Sequence, residues 1–344
     1  MARVGIREVA SLAEVSLGTV SHYINHPDRV SPEKRQRIQK AIDDLGFVRN
    51  NAAWQLRLGR SATIAYIAPD VSNPFFATIA EGVERTAAAG GLTVFIANSN
   101  SSREREDSYL EMFEAQGVQG MLVASHEPVE DRLTQIRLRG TPSVLMGQRA
   151  TSPAQPSVSL DEMKGGFLAV RHLIDIGRTR IAYVGGPLSV PQVGERYEGA
   201  LAAARESPGV TIEQIDAVDR TIAEGRDVAD QIAARPPEER PDAIFAVNDL
   251  MALGLLQTLV VEHGIRVPQD IAIVGYDDTV FGASSIIPLT TVRGPHDSFG
   301  PTAVDLLRAE IAGEGSEDSK HVVFDPELVI RASTVAPAAS ASAE

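Results

Sequence analysis

From Ser61 onward the chain alternates short apolar runs with longer amphipathic stretches, and after Ser157 the alternation starts again. Ile64-Ala65-Tyr66-Ile67-Ala68, Thr93-Val94-Phe95-Ile96-Ala97, Met121-Leu122-Val123 and Val144-Leu145-Met146 form the first set. Ile181-Ala182-Tyr183-Val184, Ala243-Ile244-Phe245-Ala246-Val247 and Ile271-Ala272-Ile273-Val274 form the second. Runs this short, apolar on both faces, read as parallel strands buried on both sides, with the helices between them covering the sheet. The restart predicts two doubly wound α/β lobes, whose ligands bind beyond the carboxyl ends of the strands, so the cleft between lobes is the expected site. Leu289-Thr290-Thr291-Val292 and a helix from Phe299 to about Ala312 are expected to cross back to the first lobe. Val322-Val323-Phe324 is expected to return the chain to the second.

The first 60 residues follow another period. Ile6, Val9, Ala10 and Ala13 recur every three or four positions, a helical stripe. Glu14-Val15-Ser16 breaks it, and Ser16 is a good N-cap for a second helix starting at Leu17. In that helix Val20, Tyr23 and Ile24 face inward, while Leu17, Gly18, Ser21, His22 and Asn25 lie on or beside the opposite face. Two short helices joined by a three-residue turn make a helix-turn-helix, whose second helix fits a DNA major groove. Ser31-Pro32-Glu33 opens a third helix, Ile38, Ala41, Ile42 and Leu45 close an all-α core, and Gly46 supplies a left-handed stop.

Charge is divided along the same line. The whole chain carries -14, yet residues 1–60 hold ten Lys/Arg against six Asp/Glu, leaving about -18 on the remainder. Phosphate attraction is thus confined to a small basic head on an acidic body. The chain has no Cys, which removes disulfides, thiolate metal sites and cysteine nucleophiles. No apolar run approaches the roughly 18 residues of a membrane span, and the first 25 residues lack a signal-type apolar core, so a cytoplasmic protein without membrane partners is expected.

The segment Val4 to Leu58 resembles the DNA-binding head of the lactose/galactose-repressor family of bacterial transcription regulators. The resemblance rests on Ile6-Arg7-Glu8-Val9-Ala10, on Val15-Ser16-Leu17-Gly18-Thr19-Val20-Ser21-His22-Tyr23-Ile24-Asn25, on Val30-Ser31-Pro32-Glu33 and on Leu45-Gly46-Phe47. It implies that Leu17, Gly18 and His22 face base edges, and that Arg7, Thr19, Ser21, Asn25 and Ser31 serve the DNA interface as well. Gly18 has no side chain and Leu17 offers only apolar contact, for instance with a thymine methyl, so hydrogen-bonded readout leans on His22. Glu14 departs from the Gly often found in this turn; a left-handed backbone would be strained there, so a slightly different turn is expected. Arg49 to Leu58 resembles the family's hinge helix, about two turns long and too short to be stable alone, so its folding is expected to be coupled to binding. Within it Asn50 and Ala53 are implied DNA contacts, Leu56 matches the wedge that opens a central minor-groove base step, and Trp54 is unusual at its place.

The body resembles the family's periplasmic-binding-protein-like effector domain through Ser72-Asn73-Pro74-Phe75-Phe76, Arg196-Tyr197-Glu198-Gly199, Val247-Asn248-Asp249 and Val274-Gly275-Tyr276-Asp277-Asp278. A polyol needs fixed donors and acceptors and an apolar face to lie against. Arg196, Asn248 and Asp277 suit the first requirement and Phe75 or Phe76 the second, while Ser125 and Gln148 match cleft-lining positions more loosely. Gly147 stands where relatives often carry Asp, and Arg220 where some use an aromatic lid. As alternatives, Arg196 pairs with Glu195 or another carboxylate, and Asp277 caps the next element.

The resulting division is a helix-turn-helix head over 1–49, a hinge and linker over 50–61, and a first lobe over 62–160 plus about 291–318. A second lobe covers 161–290 plus about 319–335, and 336–344 forms a tail without the leucine heptads of a tetramer helix. The expected function is a repressor that binds a palindromic double-stranded operator as a homodimer, at the nucleoid when bound, with a sugar or related polyol as inducer. A corepressor-dependent purine or nucleoside regulator and a sugar-binding receptor that does not touch DNA are the alternatives. An enzyme is disfavoured, since no phosphate-binding Gly-x-x-x-x-Gly-Lys loop, nucleophile elbow or His-Glu-x-x-His occurs, and no cofactor is expected. Asp277 and Asp278, adjacent on an extended segment, would point apart rather than share a metal.

Overall fold

The computed structural model describes residues 4–47, 61–314 and 320–335, which fall into two units divided after Ser61. The expected hinge contacts Asn50, Ala53 and Leu56, together with Trp54, lie outside the described residues. Among those described, no helix is long and apolar enough to cross a membrane.

In the first unit, α1 (Ile6–Leu12), α2 (Leu17–Asn25) and α3 (Pro32–Leu45) enclose Val9, Ala10, Ala13, Val20, Val30, Ile38 and Ala41. Ser16 caps α2 by accepting a bond from the Thr19 amide, and Gly46 ends α3 with φ +58°. Glu14 does adopt the left-handed conformation, φ +50°, so the turn keeps its geometry without glycine. Arg37 holds it there: one guanidinium nitrogen donates to the carbonyls of Ala13, at 2.6 Å, and Glu14, at 2.9 Å. Those carbonyls lie where α1 ends and intrahelical partners run out. Bonds from a charged donor contribute about 1.5–3 kcal/mol, comparable with the roughly 1–2 kcal/mol cost of a left-handed non-glycine residue. Arg37→Ala is therefore expected to destabilise the head by about 2 kcal/mol, read as lost amide-exchange protection across residues 6–45. Glu14→Gly should relieve the strain and offset part of that loss; unchanged protection in the single Arg37 variant would refute the brace.

The second unit contains two six-stranded sheets. The first runs β11-β5-β4-β3-β1-β2, all parallel, from β1 (Thr63–Ala68), β2 (Thr93–Asn98), β3 (Met121–Ala124), β4 (Ser143–Met146), β5 (Ser157–Leu160) and β11 (His321–Phe324). The second runs β12-β10-β9-β8-β6-β7, from β6 (Arg180–Val184), β7 (Thr211–Ile215), β8 (Ala243–Ala246), β9 (Ala272–Tyr276), β10 (Thr290–Arg293) and an antiparallel edge, β12 (Glu327–Val329). The covering helices are α4 (Pro74–Ala89), α5 (Arg103–Ala115), α6 (Glu130–Leu138), α7 (Glu162–Asp175), α8 (Pro191–Arg205), α9 (Ile222–Ala233), α10 (Asp249–Gln257), the short α11 (Val280–Ala283) and α12 (His296–Ala312).

The crossings between lobes differ from the expected ones. Leu289 to Val292 does not return to the first lobe: β10 pairs with β9 of the second sheet, and the Thr291 hydroxyl donates to buried Asp249 on α10 at 2.7 Å, tying the strand to the second lobe. The chain crosses between β10 and α12, which packs on α4. Val322 to Phe324 likewise stays in the first lobe, because the outer side of β5 offers an unpaired edge that β11 fills in parallel register. The last crossing therefore falls between β11 and β12, and the expected boundaries near 290 and 318 both move toward the C-terminus.

Candidate functional site

In the first unit the exposed face of α2 forms one wall of a shallow groove lined by Ser16, Gly18, Thr19, His22, Arg29, Val30, Ser31 and Lys34. Leu17 is 46% exposed, so it is not a core residue of the helix edge and its methyl groups are free to meet a base edge. His22 is exposed beside His26, with ring centroids 5.5 Å apart. The Thr19 hydroxyl is shared with Ser16 Oγ at 2.9 Å, and Ser31, though placed at the start of α3, makes no side-chain capping bond. Arg7 is exposed on α1, and Ser21 lies on α2, half-buried. Arg29 and Lys34 were not singled out from the sequence; only their inclusion in the basic head marked them, and the fold places both cations in the groove.

In the second unit a cavity of about 230 Å³ lies between the lobes at the carboxyl ends of β1, β3, β4, β8 and β9. Phe75, Phe76, Ser125, Arg196, Arg220, Asn248 and Asp277 all line it. Gln148 does not: its amide nitrogen donates to the carbonyl of Ser125 at 2.6 Å and braces the loop after β3 from behind. The cavity wall at that point is Gly147, with φ +79°, and a β-carbon there would meet Gln192 Nε2 at 3.2 Å. Gln192 thus takes up the room left by the missing side chain.

Arg196 is buried and strongly held. It donates from Nε to Glu162 Oε2 at 2.8 Å, from Nη2 to Glu162 Oε1 at 3.2 Å and from Nη1 to the Val247 carbonyl at 2.6 Å. Its guanidinium carbon lies 3.5 Å from the centre of the Tyr276 ring. The carboxylate partner is Glu162 rather than the adjacent Glu195, because glycines let α7 and α8 touch backbone to backbone. A β-carbon on Gly166 would overlap the Arg196 carbonyl, and one on Gly199 the Met163 carbonyl. After these bonds one N–H on each terminal nitrogen is left for a ligand.

Asp277 sits at φ +98°, a strained position of the kind that gathers at ligand clamps. Burial pushes its carboxyl up to about 8, although Arg196, with Nη2 at 4.0 Å, and Asn73 favour the charged form. Asp278 turns away, to Arg331 at 2.6 Å and Arg293 at 3.3 Å, so the pair does not converge. Among the described residues no cluster suited to a metal ion occurs.

The remaining polar wall joins the lobes. Asn248 caps α10 by accepting from the Met251 amide at 2.9 Å, and its amide nitrogen donates to the Arg220 carbonyl at 3.0 Å. Arg220 donates to the Gly186 carbonyl and to His126 Nδ1 of the other lobe, both at 3.0 Å. Burial first, then Arg220 and Arg196, lower His126 to about 3, so its ring is neutral. Phe75 packs edge-on against Phe76 at 5.1 Å and His296 at 5.5 Å, giving the cavity an aromatic portion of its lining. Gln192 Oε1 and His296 Nε2 are buried at the cavity with no protein partner. Sequence reasoning did not single out Glu162, Gln192, His126 or His296, since none sits in a distinctive motif.

Two family models match this chain: bacterial regulatory proteins of the lacI family over residues 5–50, and the periplasmic binding protein-like domain over residues 170–334. The HTH-type transcriptional repressor PurR of Aliivibrio fischeri is 33% identical over 334 residues, covering 96% of this chain and 98% of that protein. The repressor CytR of Escherichia coli is 30% identical over 331 residues, covering 96% of both chains. Among solved structures, a lac repressor dimer bound to operator and the anti-inducer ONPF superposes with a TM-score of 0.81 at 26% identity, covering 97% of this chain and 100% of that one. A complex of the regulator CelR with cellobiose gives 0.70 at 31% identity, covering 96% and 100%.

Proposed function

Because this chain belongs to the lacI family of bacterial regulatory proteins, we propose that it represses transcription by gripping a palindromic operator as a homodimer, and that a sugar or related polyol in the cleft releases it. It is a regulator and not an enzyme. The observation that carries the reading is the union, in one chain, of an exposed recognition face bearing cations with a polar and aromatic cavity between two lobes.

On DNA, α2 lies in the major groove, where Leu17 meets a thymine methyl and His22 reads a base edge past the bare backbone of Gly18. Arg7, Thr19, Ser21, Asn25 and Ser31 hold the backbone, with Arg29 and Lys34 adding charge. Asn50, Ala53 and Leu56 act at the minor groove, where the hinges of two subunits meet. Exposed apolar side chains support the dimer: Phe95 and Ile96 on the outer strand β2 are 47% and 50% exposed, and Phe281 on α11 is 58% exposed. An outer strand with bare apolar groups is covered in a stable protein.

In the cleft, Arg196 and Asp277 fix hydroxyls while Phe75 or Phe76 covers an apolar face; Ser125, Arg220 and Asn248 complete the wall. An effector that closes the lobes alters the spacing of the two hinges. A difference of 2–3 kcal/mol between the two states changes operator occupancy on the order of 30- to 150-fold.

The test is gel retardation with a duplex selected by the full-length chain from a random library. A palindromic site and its release on adding a pool of sugars are the expected result. Tighter retardation on adding a ligand would instead assign a corepressor, and the absence of any selected duplex would refute the regulator reading.

A further inference from the structure

Resting on the reading of the cleft as an effector site, we propose that the effector is an acid: a small hydroxylated molecule whose carboxylate or phosphate is taken by Arg220. The cavity contains two guanidinium groups in unlike circumstances. Arg196 is matched by two bonds to Glu162. Arg220, half-buried, bonds only to neutral acceptors, the Gly186 carbonyl and His126 Nδ1. Among the described residues no carboxylate forms an ion pair with it.

The other groups facing the cavity do not supply the missing charge at contact. His126 accepts from Arg220 and is neutral. Glu162 is engaged by Arg196. Asp277 is largely protonated at neutral pH. Asp70 turns one oxygen to Ser72, accepting from its hydroxyl at 2.6 Å and its amide at 2.9 Å, and Asp219 is exposed. Burial holds Arg220 below its usual value, helped by the like charge of Arg196, although Asp219 and Asp70 favour its charged form from a distance. A cation withdrawn from water without a counter-ion is costly unless a ligand brings one.

The chemistry left over selects the ligand. Five donors less two bonds leave three N–H groups on Arg220, in the planar fork that fits a carboxylate or phosphate. Gln192 Oε1 and His296 Nε2, buried and unpartnered, await a donor and a polar group from the same molecule. Asp277 and the spare donors of Arg196 serve hydroxyls, and Phe75 and Phe76 cover an apolar face. At about 230 Å³ the cavity lies below the usual range of roughly 300–1,000 Å³ for ligand pockets, which points to a single ring bearing one acidic group.

The experiment uses matched sets sharing one ring: glucose with glucuronate and glucose 6-phosphate, and ribose with ribose 5-phosphate. Binding to the full-length protein is measured by calorimetry and by thermal shift in 0.15 M salt. An acidic member is expected to bind at least tenfold more tightly than its neutral parent, the carboxylate and phosphate arms deciding which acid is preferred. Arg220→Gln should bring acid and parent within about threefold of each other, and Arg220→Lys should restore part of the difference. A neutral parent binding as tightly as its acids, or an acid preference that survives Arg220→Gln, overturns the proposal and leaves the effector cleft standing. A protein that binds its selected operator yet none of these compounds overturns both.

Discussion

At pH 9, where its carboxyl is charged, replacing Asp277 with Asn is expected to weaken effector binding by at least about 100-fold and to abolish effector-dependent release, while operator retardation without effector is unchanged. Two hydroxyls bonded to one carboxylate contribute about 1.5–3 kcal/mol each, so losing the charge costs 100-fold or more. Asn tolerates the left-handed backbone at φ +98° better than most residues, which separates loss of charge from misfolding. The same carboxyl sets a pH dependence. Its folded-state value of about 8 lies above the unfolded value of about 3.9, so between these limits the folded body binds more protons than the unfolded chain. Stability of the effector-free body through this group is therefore greatest below about pH 4 and declines as pH rises toward 8. Asp277→Asn should remove that decline, giving a higher melting temperature than the parent at pH 8. An effector that bonds to the charged carboxylate should bind more tightly as pH rises toward 8, by at most about tenfold per unit. A flat affinity profile, or an intact response in the Asn variant, would remove Asp277 from the site.

The second large effect is expected at Leu56. Leu56→Ala should weaken binding to the selected operator by about 100-fold and leave binding to random duplex nearly unchanged. Non-specific affinity comes from phosphate neutralisation by the head, which the substitution does not touch. Specific affinity on a bent site depends on an apolar wedge that holds a base step open against a few kcal/mol of stacking. Competition titrations against both duplexes across a range of salt give the two affinities separately. Equal losses on the two duplexes would show that Leu56 contributes only to the stability of the segment.

The head was legible almost residue by residue, because its helices are specified locally. The Ser16 cap, the inward stripe through Val20 and Ile38, and the Gly46 stop each depend on residues within a turn or two. Glu14 was the exception: sequence suggested an altered turn, but Arg37, 23 positions away, supplies the bonds that hold the strained one. In the body the buried apolar strands were visible as runs. Less apolar ones were not: β5 is built on Ser157 and Ser159, and β7 is an outer strand with alternating polar residues.

Composition, period and motif order thus determined by themselves that a basic helix-turn-helix precedes two parallel α/β lobes, whereas Phe75, Arg196, Asn248 and Asp277 were pointed to by the family resemblance, and the fold brings them to one cavity. Only tertiary structure decided where β10 and β11 belong, since strand exchange between lobes depends on which sheet edges are free. It also decided which cation has a counter-ion. Glu162 reaches Arg196 through a helix contact that Gly166 and Gly199 make possible, and Arg220 meets only neutral acceptors. Charge balance in a cavity is a property of distances across the fold, and a linear chain does not carry them.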